Sequence, residues 1–172
     1  MLAVIRTPSR GTPTTVIVTL RQASLSDLEV IHAIRREAIL GITSDTLAAT
    51  DRRKWADKRS QEFFVDRVAA GDILIAMCEG NAVGWGSASG GFVTGLYVRP
   101  SVGLRGVGRK IMSSLESRIL KDGQACARLE SSPNALQFYT RLGYVALGPP
   151  EDDGAIPMKK DLGTSDTQPR AV

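Results

Sequence analysis

Three glycines and three cations crowd into residues 103–110, Gly-Leu-Arg-Gly-Val-Gly-Arg-Lys. Glycines at 103, 106 and 108 let the backbone approach a bulky phosphate and adopt torsions closed to other residues. If a helix starts there, its first amides have no partner inside it, and the macrodipole adds partial positive charge beside them. The chemistry suited to such a stretch is anion binding, a pyrophosphate above all. Arg105, Arg109 and Lys110 stand near enough to add charge.

The flanking elements are those that such a loop needs. The apolar run Phe92 to Val98 reads as a strand and stops at Arg99-Pro100. After the loop, Ile111, Met112, Leu115, Ile119 and Leu120 recur at three- and four-residue spacing, a helical period. Two familiar phosphate loops do not fit. Gly108-Arg109-Lys110-Ile111 lacks the Lys-Ser/Thr pair of a Walker loop. Ile111 stands where a dinucleotide fingerprint needs its third glycine.

Before this centre, Val16 to Arg21 is a strand. Ser24 or Ser26 caps a helix that buries Leu28, Ile31, Ile34 and Ala38 and stops at Gly41, and Ser26-x-x-Glu29 has the form of a capping box. A short helical patch runs through Leu47, and the charged run Asp51 to Lys54 precedes Trp55, which suits either an acceptor pocket or an anchor to the core. Ser60 opens another helix that ends at Gly71. Ile73–Cys78 and Ala82–Ser89 form a hairpin about Glu79-Gly80-Asn81. Beyond the centre, Ala125–Glu130 is a strand, and Ser132-Pro133 caps a helix through Arg141. Tyr144–Leu147 and Ile156–Leu162 are strands. The pattern is α/β of the α+β kind: a twisted, mostly antiparallel mixed sheet flanked by helices. Residues 1–15 and 163–172 read as flexible tails around one domain, 16–162.

Composition narrows the function. A chain of 172 residues with 42% hydrophobic content buries a real core. No apolar run approaches the roughly 20 residues of a membrane span, and the N-terminus, broken by Arg6 and Pro8, is no signal peptide. Cys78 and Cys126 read as reduced thiols of a cytoplasmic protein, and a single histidine with no Cys-x-x-Cys argues against a metal site. The net charge of +4 is scattered and not interleaved with aromatics, which argues against nucleic acid and fits a phosphate-rich ligand.

Two motifs then carry a resemblance. Leu96-Tyr97-Val98-Arg99-Pro100 with Gly106-Val107-Gly108 resembles the acetyl-coenzyme A site of GNAT-type N-acetyltransferases, although Gly103 stands at the position of the family's leading Gln/Arg. Asn134-Ala135-x-x-Phe138-Tyr139-x-Arg141-x-Gly143-Tyr144 resembles the family's second signature. The likeness spans residues 16–162 by order of elements. It implies that acetyl-CoA is co-substrate, with the pyrophosphate on amides from Arg105 through Gly106, Val107, Gly108 and Arg109 to Lys110. It implies pantetheine contacts from the main chain at Leu96 and Val98, the Val98 amide being the oxyanion donor. Asn134 and Phe138 belong to the coenzyme side, Arg99 joins the other three cations as a phosphate contact, and Tyr139 is the acid that meets the leaving thiolate.

The base is open. Phe92 and Thr94 occupy the strand positions where relatives carry a carboxylate. Glu130 at the end of the next strand is one candidate, a surface ion pair its structural alternative, and deprotonation through water another route. The acceptor is expected to be a small-molecule primary amine attacked directly in a ternary complex. A protein lysine or N-terminus is the alternative acceptor, and a coenzyme-binding regulator without turnover the alternative function. A homodimer is compatible with the chain.

Overall fold

The computed structural model describes residues 3–6, 15–43, 48–102, 106–152 and 154–163, with side chains from Ile17 onward. In chain order the elements are β1 (Ala3–Arg6), β2 (Thr15–Gln22), α1 (Leu28–Leu40), α2 (Ala49–Asp57), α3 (Val65–Ala69), β3 (Ile73–Cys78), β4 (Asn81–Ser89) and β5 (Phe92–Val98). They continue with α4 (Val107–Lys121), β6 (Cys126–Ser131), α5 (Leu136–Arg141), β7 (Val145–Ala146) and β8 (Ile156–Asp161). The strands make one sheet in the order β1-β2-β3-β4-β5-β6-β8-β7. Every pairing is antiparallel except β5 with β6.

Two expectations are corrected at the N-terminal end. Residues 3–6 are not part of a tail but an outer strand, registered from Ala3 opposite Val18 to Arg6 opposite Thr15. The β-branched pair Val4-Ile5 suits an extended backbone, and the edge of β2 supplies its hydrogen-bond partners. The capping box is Ser24 with Asp27, in a 3-10 turn ahead of α1, and not Ser26 with Glu29. Asp27 is chosen because Arg21 reaches it with two bonds of 2.6 and 2.8 Å, while the Ser24 amide donates to it at 2.8 Å. The helical patch through Leu47 lies outside the described residues.

The sheet buries both faces. On one, α4 lays Val107, Ile111, Met112, Leu115 and Ile119 onto the core. On the other, Ile31 and Ile34 of α1 pack with Phe64, Val68, Ile75 and Trp85. The Trp85 indole N–H donates to the Ile31 carbonyl at 2.9 Å and ties α1 to β4. Helix α4 comes close because β4 has no side chain beneath it: a Cβ on Gly86 would lie 2.4 Å from Ile111 Cγ2.

One irregularity positions the site. Strand β5 pairs with β4 along its length but meets β6 only at Phe92 opposite Arg128. The register against β4 slips between Ser87 opposite Gly95 and Ala88 opposite Val93, so Thr94 is an extra residue on β5. Such a bulge bends its strand. Beyond it β5 follows β4 while β6 follows β8, and the sheet opens into a cleft.

Candidate active site

The cleft is walled on one side by Phe92–Val98 and on the other by Leu129, Glu130, Ser132 and Asn134, and Tyr139 also lines it. The β5 wall presents free main-chain groups, which follows from the register. The Arg99 amide donates to the Val83 carbonyl at 2.9 Å, so these two residues form a hydrogen-bonded pair. Such pairs alternate along an antiparallel ladder. Trp85 and Tyr97 therefore bond each other, whereas Gly84 opposite Val98 and Gly86 opposite Leu96 do not. The N–H and C=O groups of Leu96 and Val98 consequently point away from β4, toward the edge that β6 has left. Their side chains pack on the α4 face of the core.

Helix α4 starts close to β5, the Cβ position of Gly108 lying 3.8 Å from Leu96 Cδ2. Its N-cap is Gly106, at φ +100°, in the left-handed region that favours glycine. The Lys110 amide donates back to the Gly106 carbonyl at 2.9 Å and closes the first turn. The amides of Val107, Gly108 and Arg109 precede that bond and have no intrahelical acceptor. Gly108 is needed for packing too: a Cβ there would sit 3.1 Å from Phe138 Cζ. Phe138 thus holds the helix start and does not line the cleft.

The cations divide. Arg109 is exposed at the helix start and makes no ion pair among the described residues. Lys110 is corrected: its ammonium donates to the Val18 carbonyl on β2, and its amide is taken by the helix. The Lys110 side chain is thus engaged with β2 and not with the first turn of α4. Arg99 is bound to Glu37 at 2.6 Å and to the Ala82 carbonyl at 3.1 Å, a brace between β5 and α1. Arg105 and Gly103 lie outside the described residues.

Helix α5 delivers the phenol. Ser132, extended at φ −68° and ψ 152°, precedes Pro133, whose fixed φ starts the turn as expected. Asn134 and Ala135 then face the cleft, and Tyr139 follows on the buried side of α5, 8% exposed. Edge-on contacts to Phe138 at 5.1 Å and Tyr144 at 5.8 Å fix its ring. Burial raises the Tyr139 phenol well above its ordinary value, and the neighbouring Tyr97 phenol adds to the shift. Tyr139 therefore keeps its proton throughout the neutral and mildly alkaline range.

Glu130 is exposed on the opposite wall. The surface ion pair weighed for it is not formed among the described residues. At the far end Ala38, Ile39, Ile42 and Trp55 close the cleft. Trp55 lines the cleft, and its main-chain carbonyl accepts from Arg35 Nη2 at 2.9 Å. Two features escaped the sequence reading. Tyr97 faces the α1 side and lines the cleft; its neighbours in the motif drew attention to their backbone instead. Arg35 is only 4% exposed, and its signal was the stripe Ile31, Arg35, Ile39, spaced four residues apart on the buried face of α1.

A profile of the acetyltransferase (GNAT) domain matches residues 32–162. The chain belongs to this family and is an acetyl-CoA-dependent acetyltransferase. Among solved structures it is similar to the GCN5-related N-acetyltransferase of Rhodopseudomonas palustris, with 28% identity and a TM-score of 0.76 over 83% of this chain and 94% of that one. The PaiA N-acetyltransferase of Thermoplasma acidophilum, solved with coenzyme A, is 21% identical with a TM-score of 0.68, over 84% and 98% of the two chains. The yncA protein of Salmonella typhimurium, solved with its cofactor acetyl-CoA, is 20% identical with a TM-score of 0.62, over 90% and 99%. A search among curated proteins finds no significant relative.

Proposed function

We propose that the chain transfers acetyl from acetyl-CoA to the primary amine of a small molecule, by direct attack while both are bound. The observation that carries this reading is the open edge of β5. Its outward-facing Leu96 and Val98 backbone runs along a cleft that also takes in Tyr139 and Glu130. The residues fit the donor: a free strand edge suits an amide-bearing arm, and a helix start without a side chain at Gly108 suits a pyrophosphate. When bound, the coenzyme supplies an activated thioester.

The chain's own residues do the rest. The amides of Val107, Gly108 and Arg109 hold the diphosphate, with Arg109 adding charge at the rim and Arg105 in the same loop. Leu96, Val98 and Asn134 orient the arm, and the Val98 amide is the donor to the carbonyl oxygen. Tyr139 donates its O–H to the departing sulfur. A phenol above its ordinary pKa of about 10 is a weaker acid than a thiol of about 8.5, so the bond to sulfur matters more than complete transfer. Glu130 receives the amine. A carboxylate is a far weaker base than an amine, so Glu130 holds and orients the ammonium; its proton is lost to bulk solvent, in a fraction that grows with pH, and the neutral nitrogen then attacks the thioester carbon.

Thiol release from acetyl-CoA across a panel of small amines tests this, with calorimetry for coenzyme binding. Turnover of at least one amine that falls in Tyr139→Phe is the expected result. Folded protein with no affinity for the coenzyme refutes the reading.

A further inference from the structure

The acceptor end of the cleft has a composition that selects among amines. Four of its side chains are apolar, Ala38 and Ile39 from α1, then Ile42 and Trp55. Glu130 is the one charged side chain lining the cleft among the described residues. Behind Trp55 lies Arg35, whose Nη atoms donate to the Ala56 and Trp55 carbonyls at 2.8 and 2.9 Å. Its guanidinium stands 5.8 Å from the centre of the Tyr97 ring. Among the described residues it makes no ion pair, so its charge is buried and not neutralised by a carboxylate.

We propose that the acceptor is a primary monoamine on an aromatic or branched apolar body, its amine at Glu130 and its body against Trp55. The inference rests on the acetyltransferase reading above and adds the acceptor's chemistry. One carboxylate matches one ammonium. An apolar body gains by leaving water for the wall of Trp55, Ile39 and Ile42, by about tenfold to a hundredfold in kcat/KM. A second ammonium, as in a polyamine, would lose its hydration against that wall, which among the described residues offers it no acid. It would also approach the Arg35 guanidinium, which no carboxylate pairs among the described residues. The cleft therefore favours apolar monoamines and disfavours polycations.

The test compares 2-phenylethylamine, ethylamine, spermidine and an alanine-initiated hexapeptide as acceptors, by thiol release, with coenzyme binding measured by calorimetry in parallel. We expect kcat/KM for 2-phenylethylamine to exceed each of the others by about tenfold or more. In Trp55→Ala its advantage over ethylamine should shrink by about tenfold, through KM. Trp55→Leu, which keeps an apolar side chain on α2, guards against a folding defect and should shrink the advantage less. Preference for spermidine in coenzyme-binding protein, or an advantage that survives both Trp55 variants, overturns the acceptor inference alone. Preference for the hexapeptide overturns it together with the small-molecule reading, and coenzyme binding with no amine acetylated overturns it together with the expected turnover. Folded protein that binds no coenzyme removes the acetyltransferase reading and this inference with it.

Discussion

Replacing Tyr139 by phenylalanine removes one hydroxyl and little else. The ring is 8% exposed and held edge-on by Phe138 and Tyr144, contacts that phenylalanine keeps. The fold should therefore tolerate the change, with a shift in Tm of no more than a few degrees. The loss falls on the sulfur that accumulates charge as the thioester breaks. A hydrogen bond to a charged group is worth about 1.5–3 kcal/mol. At 1.36 kcal/mol per decade, kcat should fall by about 10- to 150-fold, with coenzyme affinity little changed.

The pH dependence makes this prediction sharper. Tyr139 acts only while protonated, so activity on its account is present below its pKa and lost as pH rises through it. Burial, followed by the Tyr97 phenol, raises that pKa above the ordinary value of about 10. The wild-type rate should climb with pH as the acceptor amine loses its proton, then level off, with no descending limb before about pH 10. Stopped assays of thiol release from pH 6 to 10 at saturating coenzyme measure this. A descending limb near pH 8–9 that disappears in Tyr139→Phe would show a phenol of lowered pKa and would refute the argument from burial. An unchanged kcat in the variant would remove Tyr139 from the chemistry.

Three further predictions concern the frame. Lys110→Met should lower Tm, because the Val18 carbonyl loses its donor, while coenzyme affinity changes less than about threefold; a tenfold loss of affinity with intact stability would restore Lys110 to the phosphate site. Gly86→Ala places a Cβ 2.4 Å from Ile111 Cγ2 and should cost about 1–3 kcal/mol, roughly 2–12 °C in Tm; unchanged calorimetric melting would mean that α4 does not sit as close to β4 as described. Asp27→Asn should cost about 1–2 kcal/mol at neutral pH, discounted because Arg21 is 43% exposed. Arg21, chiefly, holds the Asp27 carboxyl well below the ordinary aspartate value, so its stabilisation is full above about pH 4–5 and fades on acidification. Denaturant melts at pH 7 and 3 should show the variant's deficit narrowing; an equal deficit at both would exclude the ion pair as its source.

Local patterns made the centre of the fold readable. Strand β5 is a continuous apolar run, α4 declares itself by its period, and Gly106 and Gly108 mark the join between them. The link from Asn134 to Tyr139 was likewise local, a 3-10 turn that runs straight into α5. What stayed hidden depended on distance along the chain. Nothing near Lys110 announces Val18, 92 residues away, as its partner. Ser24-Asp27 and Ser26-Glu29 have the same spacing, and only Arg21 on the neighbouring strand decides between them. The opening between β5 and β6 goes with the Thr94 bulge on β5 and with β8 holding β6 along its other edge, neither of which is a property of one segment.

These hidden features share a physical origin with the visible ones. The site is made by withholding partners and side chains where the sheet would otherwise close. Gly84 and Gly86 lack side chains where α4 crosses β4, so the helix settles on the sheet and its uncapped start lies at the end of β5. Gly108 lacks one where Phe138 crosses the first turn, so α5 also comes close and carries Tyr139 to the cleft. The departure of β6 leaves Leu96 and Val98 with main-chain groups that need partners, a debt that a buried backbone cannot carry and water or a ligand must settle. In the binding mode proposed above, an amide-bearing arm laid along that edge would run between the helix start and the phenol, and the same close approach of helix to strand determines where all three stand.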